Sequence, residues 1–298
     1  DILSLTGFHP NIVASWSSTE GKLTFTGVGD VPVLYTDLVA AVKDVIFESS
    51  SVSVSGDKYF SFTIGDANYL PSTDHYYEYV SDSGITWTNA RIAAASRTYF
   101  GLQGYLATIG SAEEAQLSGE QASGVGWLGG TDEETEGVWK WVTGPENGTV
   151  FWNGGINGST PNYANWNTGE PNNCCGGEDY LHVTFNVGVP GSWNDLPNPG
   201  DTGNYFPQGY MVEYGSMPGD PVVDISASTK ITIPSIKATT NGSSCGSGSL
   251  TLEASSSAGT VFWYDSSTGG TQLGSGITFN TPIINVSTTY YVLASVNG

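Results

Sequence analysis

Cations are scarce in this chain. Of 298 residues only eight are Lys or Arg, against 29 Asp or Glu, for a formal net charge of -21. A surface so poor in positive charge neither neutralises a phosphate backbone nor holds an anionic bilayer face. Nucleic acid and acidic membranes are thereby excluded as partners. No apolar run reaches the roughly 18 to 20 residues that a membrane span needs, and neither end reads as a secretory signal peptide. Cysteine is rare too: Cys174, Cys175 and Cys245 are the full set, too few for a fold built on disulfides. Charged residues of both signs make up only 12%, so the imbalance reflects missing Lys and Arg rather than acidic runs. What is plentiful is core and turn material, 38% hydrophobic and 12% aromatic residues with 40 Gly. Such a chain folds, favours turn-rich β structure and has the length of two or three domains.

The negative charge is unevenly spread. Residues 76–220 hold seventeen acids and three bases, a balance of -14, whereas residues 1–75 stand at -6 and residues 221–298 at -1. Concentrated carboxylates repel one another unless they are protonated or met by cations. With almost no Lys or Arg in that region, bound metal ions are the natural counter-charge, and a merely solvated acidic surface is the alternative.

Alternating apolar and polar residues in Lys22-Leu23-Thr24-Phe25-Thr26 and Tyr59-Phe60-Ser61-Phe62-Thr63-Ile64 predict half-buried strands. Leu34 to Val45 between them reads as a short helix. Residues 1–73 form the first unit, a β-sandwich type module that is short for its class. The second unit, residues 74–217, opens on the aromatic alternation of Tyr76, Tyr77 and Tyr79 and then turns helical. Thr86 and Ser111 are the expected N-caps of two short helices, the second with Glu114 three residues on. From Gly126 to Tyr214 follows a long segment with six of the nine tryptophans and little periodicity; loop-dominated stretches of that length are usually functional. Residues 218–229 read as a linker, and residues 230–298 as a small immunoglobulin-like β-sandwich of short strands between Gly/Ser turns. The fold class expected is mostly β, with a central α+β domain and flanking β-sandwich modules.

Five oxygen-bearing residues stand out in the loop segment: Glu170 and Asn172 on either side of Pro171, then Glu178, then Asn194 and Asp195 after Trp193. Calcium takes about six to eight oxygen ligands from carboxylates, carbonyls and water. Three carboxylates and two amides, with no soft donor among them, suit that ion. Zinc favours His or Cys, and His9, His75 and His182 are scattered. A proline between two ligands would aim both side chains at one point through a cis bond, so a cis Glu170–Pro171 linkage is expected.

From about Tyr76 to Tyr214, nearly half the chain, the sequence resembles a C-type lectin domain. Trp127-Leu128-Gly129-Gly130 is similar to the core strand of that family, Glu170-Pro171-Asn172 to its sugar-selecting tripeptide and Trp193-Asn194-Asp195 to its calcium motif. Gly104 to Ile109, followed by Glu113-Glu114, resembles its helix-to-strand join. The resemblance implies a principal calcium ion held by Glu170, Asn172, Glu178, Asn194 and Asp195, the same residues binding carbohydrate as two vicinal sugar hydroxyls complete the shell. The Glu-Pro-Asn order implies mannose, fucose, glucose or N-acetylglucosamine rather than galactose. It also implies an auxiliary calcium site at Asp132, Glu136, Asn173, Glu178 and Asp179, weakened because Asn173 stands where an Asp is common and altered in path by Cys174-Cys175-Gly176.

The positions matching the family's animal disulfides hold Tyr180, Pro197 and Val212, so neither bridge is expected. Cys174 and Cys175 are left as a vicinal disulfide, as thiols or as a link between chains. Cys245 through Asn297-Gly298 resembles a small immunoglobulin-like repeat of secreted Bacteroidetes proteins whose second cysteine follows an Asn-Gly pair, so the chain is expected to stop short of that partner. Gly21 to Gly27 and Phe62 to Asp66 resemble cadherin-like repeats of bacterial surface proteins, with the first strands of the repeat expected to be missing. Together these resemblances imply a secreted or cell-surface modular adhesin, part of a larger chain, whose partners are extracellular glycans.

Trp127, Trp139, Trp141 and Trp193 are expected in the core; Trp152, Trp166, Tyr163 and Tyr205 are candidates for glycan contact; His182 is expected to be structural. An enzyme is not expected. Glu170 and Glu178 resemble a glycosidase pair in type, but a carboxylate bound to a cation stays ionised and cannot act as a general acid. The alternative function is a calcium-stabilised protein-binding or ice-binding module on the same fold.

Overall fold

In the central strands, neighbouring residues go to opposite cores. Tyr76 and Tyr77, Trp127 and Leu128, and Met211 and Val212 each divide between two hydrophobic clusters, which the period of two dictates for a sheet covered on both faces. The computed structural model describes residues 1–49, 56–122, 125–174, 177–184 and 187–296. They divide into two compact units, residues 1–48 with 61–227 and residues 49–60 with 228–298. The architecture is mostly β with a central α+β domain and flanking β modules, as the sequence leads one to expect.

The central sheet runs in the order Val150–Asn153, Val138–Trp141, Val125–Thr131, Pro207–Tyr214, His75–Ser81 and Asn68–Leu70. Leu102–Leu106 also pairs with Pro207–Tyr214, and Tyr180–Val183 joins Val125–Thr131 to Trp193–Leu196. Among these pairings Val125–Thr131 and Pro207–Tyr214 run parallel, and their neighbours are antiparallel. The Val125–Thr131 strand is buried at every position. Its Gly129 has no room for a side chain, since a Cβ there would lie 1.9 Å from Thr143 Oγ1 and 2.7 Å from the Leu106 carbonyl.

Two capped helices flank the sheet. Thr86 Oγ1 accepts the Asn89 N–H at the start of Trp87–Ala95, which buries Trp87, Ala90 and Ala94 at helical spacing. Ser111 Oγ likewise accepts the Glu114 N–H of Ala112–Gln121, while Glu114 reaches back to the Gly110 N–H at 2.8 Å. Trp87 and Tyr180 pack ring against ring with centroids 4.7 Å apart.

Glu213, 1% exposed, shows how a buried charge is held in this domain. Its carboxylate accepts from His75 Nδ1 at 2.6 Å, from Tyr77 OH at 3.1 Å and from the Thr108 N–H at 2.9 Å. Burial alone would lower the His75 pKa, but the Glu213 carboxylate outweighs it and raises it, favouring the protonated ring beside that carboxylate.

Residues 1–48 contribute a hairpin of Ile12–Ser17 with Lys22–Gly27, the antiparallel pair Ile2–Leu5 with Val45–Glu48, and the helix Tyr35–Lys43. The second unit holds two three-stranded sheets, Ile236–Thr240 with Thr251–Ser256 and Thr278–Asn280, and Gln272–Ser275 with Thr260–Tyr264 and Tyr291–Ser295. Ala254, Val261 and Trp263 form its core. Within the same unit Asp57 accepts from Lys230 Nζ at 2.8 Å and from Thr232 Oγ1 at 2.7 Å. Cys245 is an exposed free thiol. Cys175 and Gly176, and with them the pairing of Cys174 with Cys175, lie outside the described residues, as do Asn297 and Gly298.

Candidate functional site

The site is built on the strand Trp193–Leu196. It pairs with Tyr180–Val183 so that Asn194 lies opposite His182 and Asp195 opposite Leu181. Trp193 anchors it: the Trp193 N–H donates to the Asn165 carbonyl and the Asn167 N–H to the Trp193 carbonyl, both at 2.8 Å. Those bonds lay residues 165–167 alongside the strand. The indole beneath is fully buried against Trp141, Phe151, Tyr163 and Trp166.

From Asn167 the chain turns back over Asp195. The Glu170–Pro171 bond is cis, in the state the sequence predicts. Asn172 and Asn173 then donate their backbone N–H groups to Asp195 Oδ1 at 3.2 Å and Oδ2 at 2.7 Å, and Asn172 Nδ2 donates to Glu170 Oε2. Glu178 closes the far side, its Oε2 accepting the Cys174 N–H at 2.7 Å. Glu170, Asn172 and Asp195 are thus drawn together, with Glu178 held on the same loop through Cys174. Asn194, 5% exposed, donates Nδ2 to the Asp195 carbonyl at 3.0 Å, and its Oδ1 is buried without a partner.

The electrostatics bear the mark of concentrated negative charge. Glu170 is pushed up to about 7, by burial first and then by Asp195 and Glu178. Glu178 is pushed up to about 7 by burial and by Asp195. Such a cluster is relieved by protons or by a cation, and no Lys or Arg lies anywhere in the sequence between Lys140 and Lys230.

Beside it, Asp132, Glu136, Asn173 and Asp195 line an open hollow of about 210 Å³ together with Trp139 and Asn172. Asp132, 3% exposed, accepts the Gly137 N–H on Oδ2 at 2.8 Å, and its Oδ1 is a second buried acceptor without a partner. Burial, with Glu136, Asp179 and Asp195 adding to it, raises its pKa to about 7. Asp179 is joined to it through the Asp132 N–H, which donates to the Asp179 carbonyl at 3.3 Å, and its own carboxyl is raised by burial, Glu133 and Asp195. Asn173 is turned elsewhere, its Oδ1 accepting from the Gly177 and Glu178 N–H groups at 2.7 and 3.1 Å.

Among the described residues no three His, Cys, Asp or Glu side chains stand together as a metal cluster. The set here is mixed, and Asp195 and Glu178 spend oxygens on backbone N–H groups. Two orphaned buried oxygens on Asn194 and Asp132, within an all-oxygen donor set, nonetheless fit a hard cation such as calcium. Zinc is disfavoured. His182 is fully buried, donates Nδ1–H to the Val183 carbonyl and lies edge-on to Trp127; His9 pairs with Asp44 and His75 with Glu213.

Burial lowers the His182 pKa from 6.5 to about 4. A folded-state value below the unfolded one means that its stability contribution is complete above pH 6.5 and is lost as pH falls toward 4. The expected loss at pH 4 is about 3 kcal/mol. A His182→Gln variant should flatten that limb of a Tm-against-pH profile; a limb as steep as before would show that another group is responsible.

Trp127, Trp139, Trp141 and Trp193 are core residues, each 3% exposed or less. Trp152, Trp166, Tyr163 and Tyr205 are half-buried. One neighbour that sequence reasoning passed over is Asp201, whose charge is felt at Glu178 and Tyr205. Only its place in the cation-free stretch could have drawn attention to it.

Residues 232–298 match the family model for the Ig-like domain CHU_C associated. The chain is similar to halomucin of Haloquadratum walsbyi, 35% identical over 228 residues. That match takes in 74% of this chain and spans only about 2% of halomucin's length. Among solved structures it is similar to the C-type lectin CEL-I from Cucumaria echinata, at 23% identity and a TM-score of 0.37, covering 50% of this chain and 95% of that one. The carbohydrate-recognition domain of cow CD23 is similar at 21% identity and a TM-score of 0.37, covering 53% and 100%. No helix among the described residues is long and apolar enough to cross a membrane.

Proposed function

We propose that residues 74–217 are a C-type lectin domain that binds glycans through calcium, within a secreted or cell-surface modular adhesin whose outer modules, a cadherin-like one and an immunoglobulin-like one, act as spacers. The observation that carries this reading is the closure of Asn172 and Asn173 onto the Asp195 carboxylate beside the unpartnered, buried Asn194 Oδ1. Glu170, Asn172, Glu178, Asn194 and Asp195 would hold the principal ion, and Asp132, Glu136, Asn173, Glu178 and Asp179 the auxiliary one. When bound, calcium would supply open coordination positions for two vicinal hydroxyls. The chain's own part is to orient them: carboxylates accept from the hydroxyls and amides donate to their other lone pairs. The Glu170-Pro171-Asn172 order favours mannose, fucose, glucose and N-acetylglucosamine. Nothing is turned over, because carboxylates engaged by a cation remain ionised and supply no general acid.

A single sugar buries little surface, so affinity per site is expected near 1 mM, roughly 4 kcal/mol, and repeated modules would supply avidity. A second reading has support from Asn173, whose side chain already closes the loop at Gly177 and Glu178: a calcium-stabilised protein-binding or ice-binding module that keeps the loop for its shape. A glycan array with calcium and with chelator separates the two. Retention of mannose-type glycans that chelator abolishes is the expected result; silence across the array in calcium sinks the lectin reading and leaves the second.

A further inference from the structure

We propose that Asp201 makes this site selective for uncharged glycans, turning away phosphorylated, sulfated and sialylated ones; the inference rests on the lectin reading above. The loop that carries Asp201 joins the strand Trp193–Leu196 to Pro207–Tyr214. It is pinned at one end by Asn198, whose carbonyl accepts the Trp87 N–H at 3.0 Å and whose Oδ1 accepts the Thr88 N–H at 3.0 Å. It then folds back on itself, the Asp201 N–H donating to the Tyr205 carbonyl at 3.2 Å and Asp201 Oδ1 accepting the Thr202 N–H at 2.7 Å. The Tyr205 ring lies edge-on to His182, centroids 6.4 Å apart at 81°, and His182 is the cross-strand partner of Asn194. The exposed Asp201 thus lies in the turn whose Tyr205 ring packs on His182, on the strand paired with Trp193–Leu196, and its charge is felt at Tyr205 and Glu178.

Charge decides what such a site admits. A dication offsets two of the three carboxylates in the principal set, Glu170, Glu178 and Asp195; one remains, and Asp201 adds another. No Lys or Arg between residues 140 and 230 answers them, and Lys140 at the border is bound to Glu134 Oε2 at 2.6 Å. Neutral hydroxyls meet acceptors here. A phosphate, sulfate or carboxylate on the same sugar meets net negative charge, without a Lys or Arg from residues 141–229 to offset it, and the repulsion falls with salt.

The test measures the full chain in calcium against two probes, methyl α-mannoside and its 6-phosphate. Wild type should bind the neutral probe about tenfold tighter at low ionic strength, and Asp201→Asn should narrow that ratio roughly three-fold, with both effects shrinking in 0.5 M salt. Equal affinities in wild type, or a ratio that Asp201→Asn leaves unmoved, overturn the inference while the lectin reading stands. Failure of both probes to bind in calcium overturns that reading and takes this inference with it.

Discussion

An Asp195→Ala variant is expected to lose calcium-dependent glycan binding outright, with calcium affinity down at least about 100-fold. Asp195 is 1% exposed, and its two oxygens receive the backbone N–H groups of Asn172 and Asn173 at 3.2 and 2.7 Å. Removing them would strip a carboxylate from the proposed ion's shell and also release the loop that carries Glu170 and Asn172. Hydrogen bonds to a buried carboxylate are worth more than neutral ones, but without calcium the change also relieves the repulsion of Glu170 and Glu178, so the net loss there should stay below about 3 kcal/mol. Asp195→Asn keeps one carbonyl oxygen for the loop and should recover part of that stability but not the ion. Calcium titration calorimetry and melting curves with and without EDTA read both effects. If calcium raised the Tm of the Ala variant as far as that of wild type, Asp195 would not be a ligand.

Trp193→Ala should be the most destabilising single change near the site. The indole has no exposure and touches four aromatic residues, with ring centroids 5.6 to 5.9 Å away. Truncating a buried tryptophan leaves a cavity that such a ring cluster cannot close, costing about 4 kcal/mol, or roughly 10 °C in Tm for a domain of this size. Because Asn194 and Asp195 follow directly, calcium affinity should fall in step. Trp193→Phe should restore a good part of both losses. A denaturant midpoint within error of wild type would refute the packing argument.

Much of the site was legible because it is local in sequence. Glu170, Pro171 and Asn172 are consecutive, as are Trp193, Asn194 and Asp195, and the chemistry of an all-oxygen set names a hard cation before any coordinate is known. Helix starts at Thr86 and Ser111 were equally legible, since a cap is decided within three residues. The Trp87–Tyr180 ring contact was not, because nothing in either segment marks the other as its partner. Asp201 escaped for a related reason. It lies in a turn without periodicity, whose course is set by the hydrogen bonds at Asn198 and Tyr205.

The sequence by itself determined the fold class, the concentration of negative charge between residues 76 and 220 and the residues offered to a cation. These are matters of composition, period and neighbouring residues. Tertiary structure alone decided which oxygens are spent and which are spare. Asn173 closes its own loop, Glu213 is answered by His75, and Asn194 and Asp132 keep buried oxygens without partners. Whether an oxygen is free depends on which backbone N–H groups the fold brings within about 3 Å of it, and that is fixed by pairings between segments far apart in the chain.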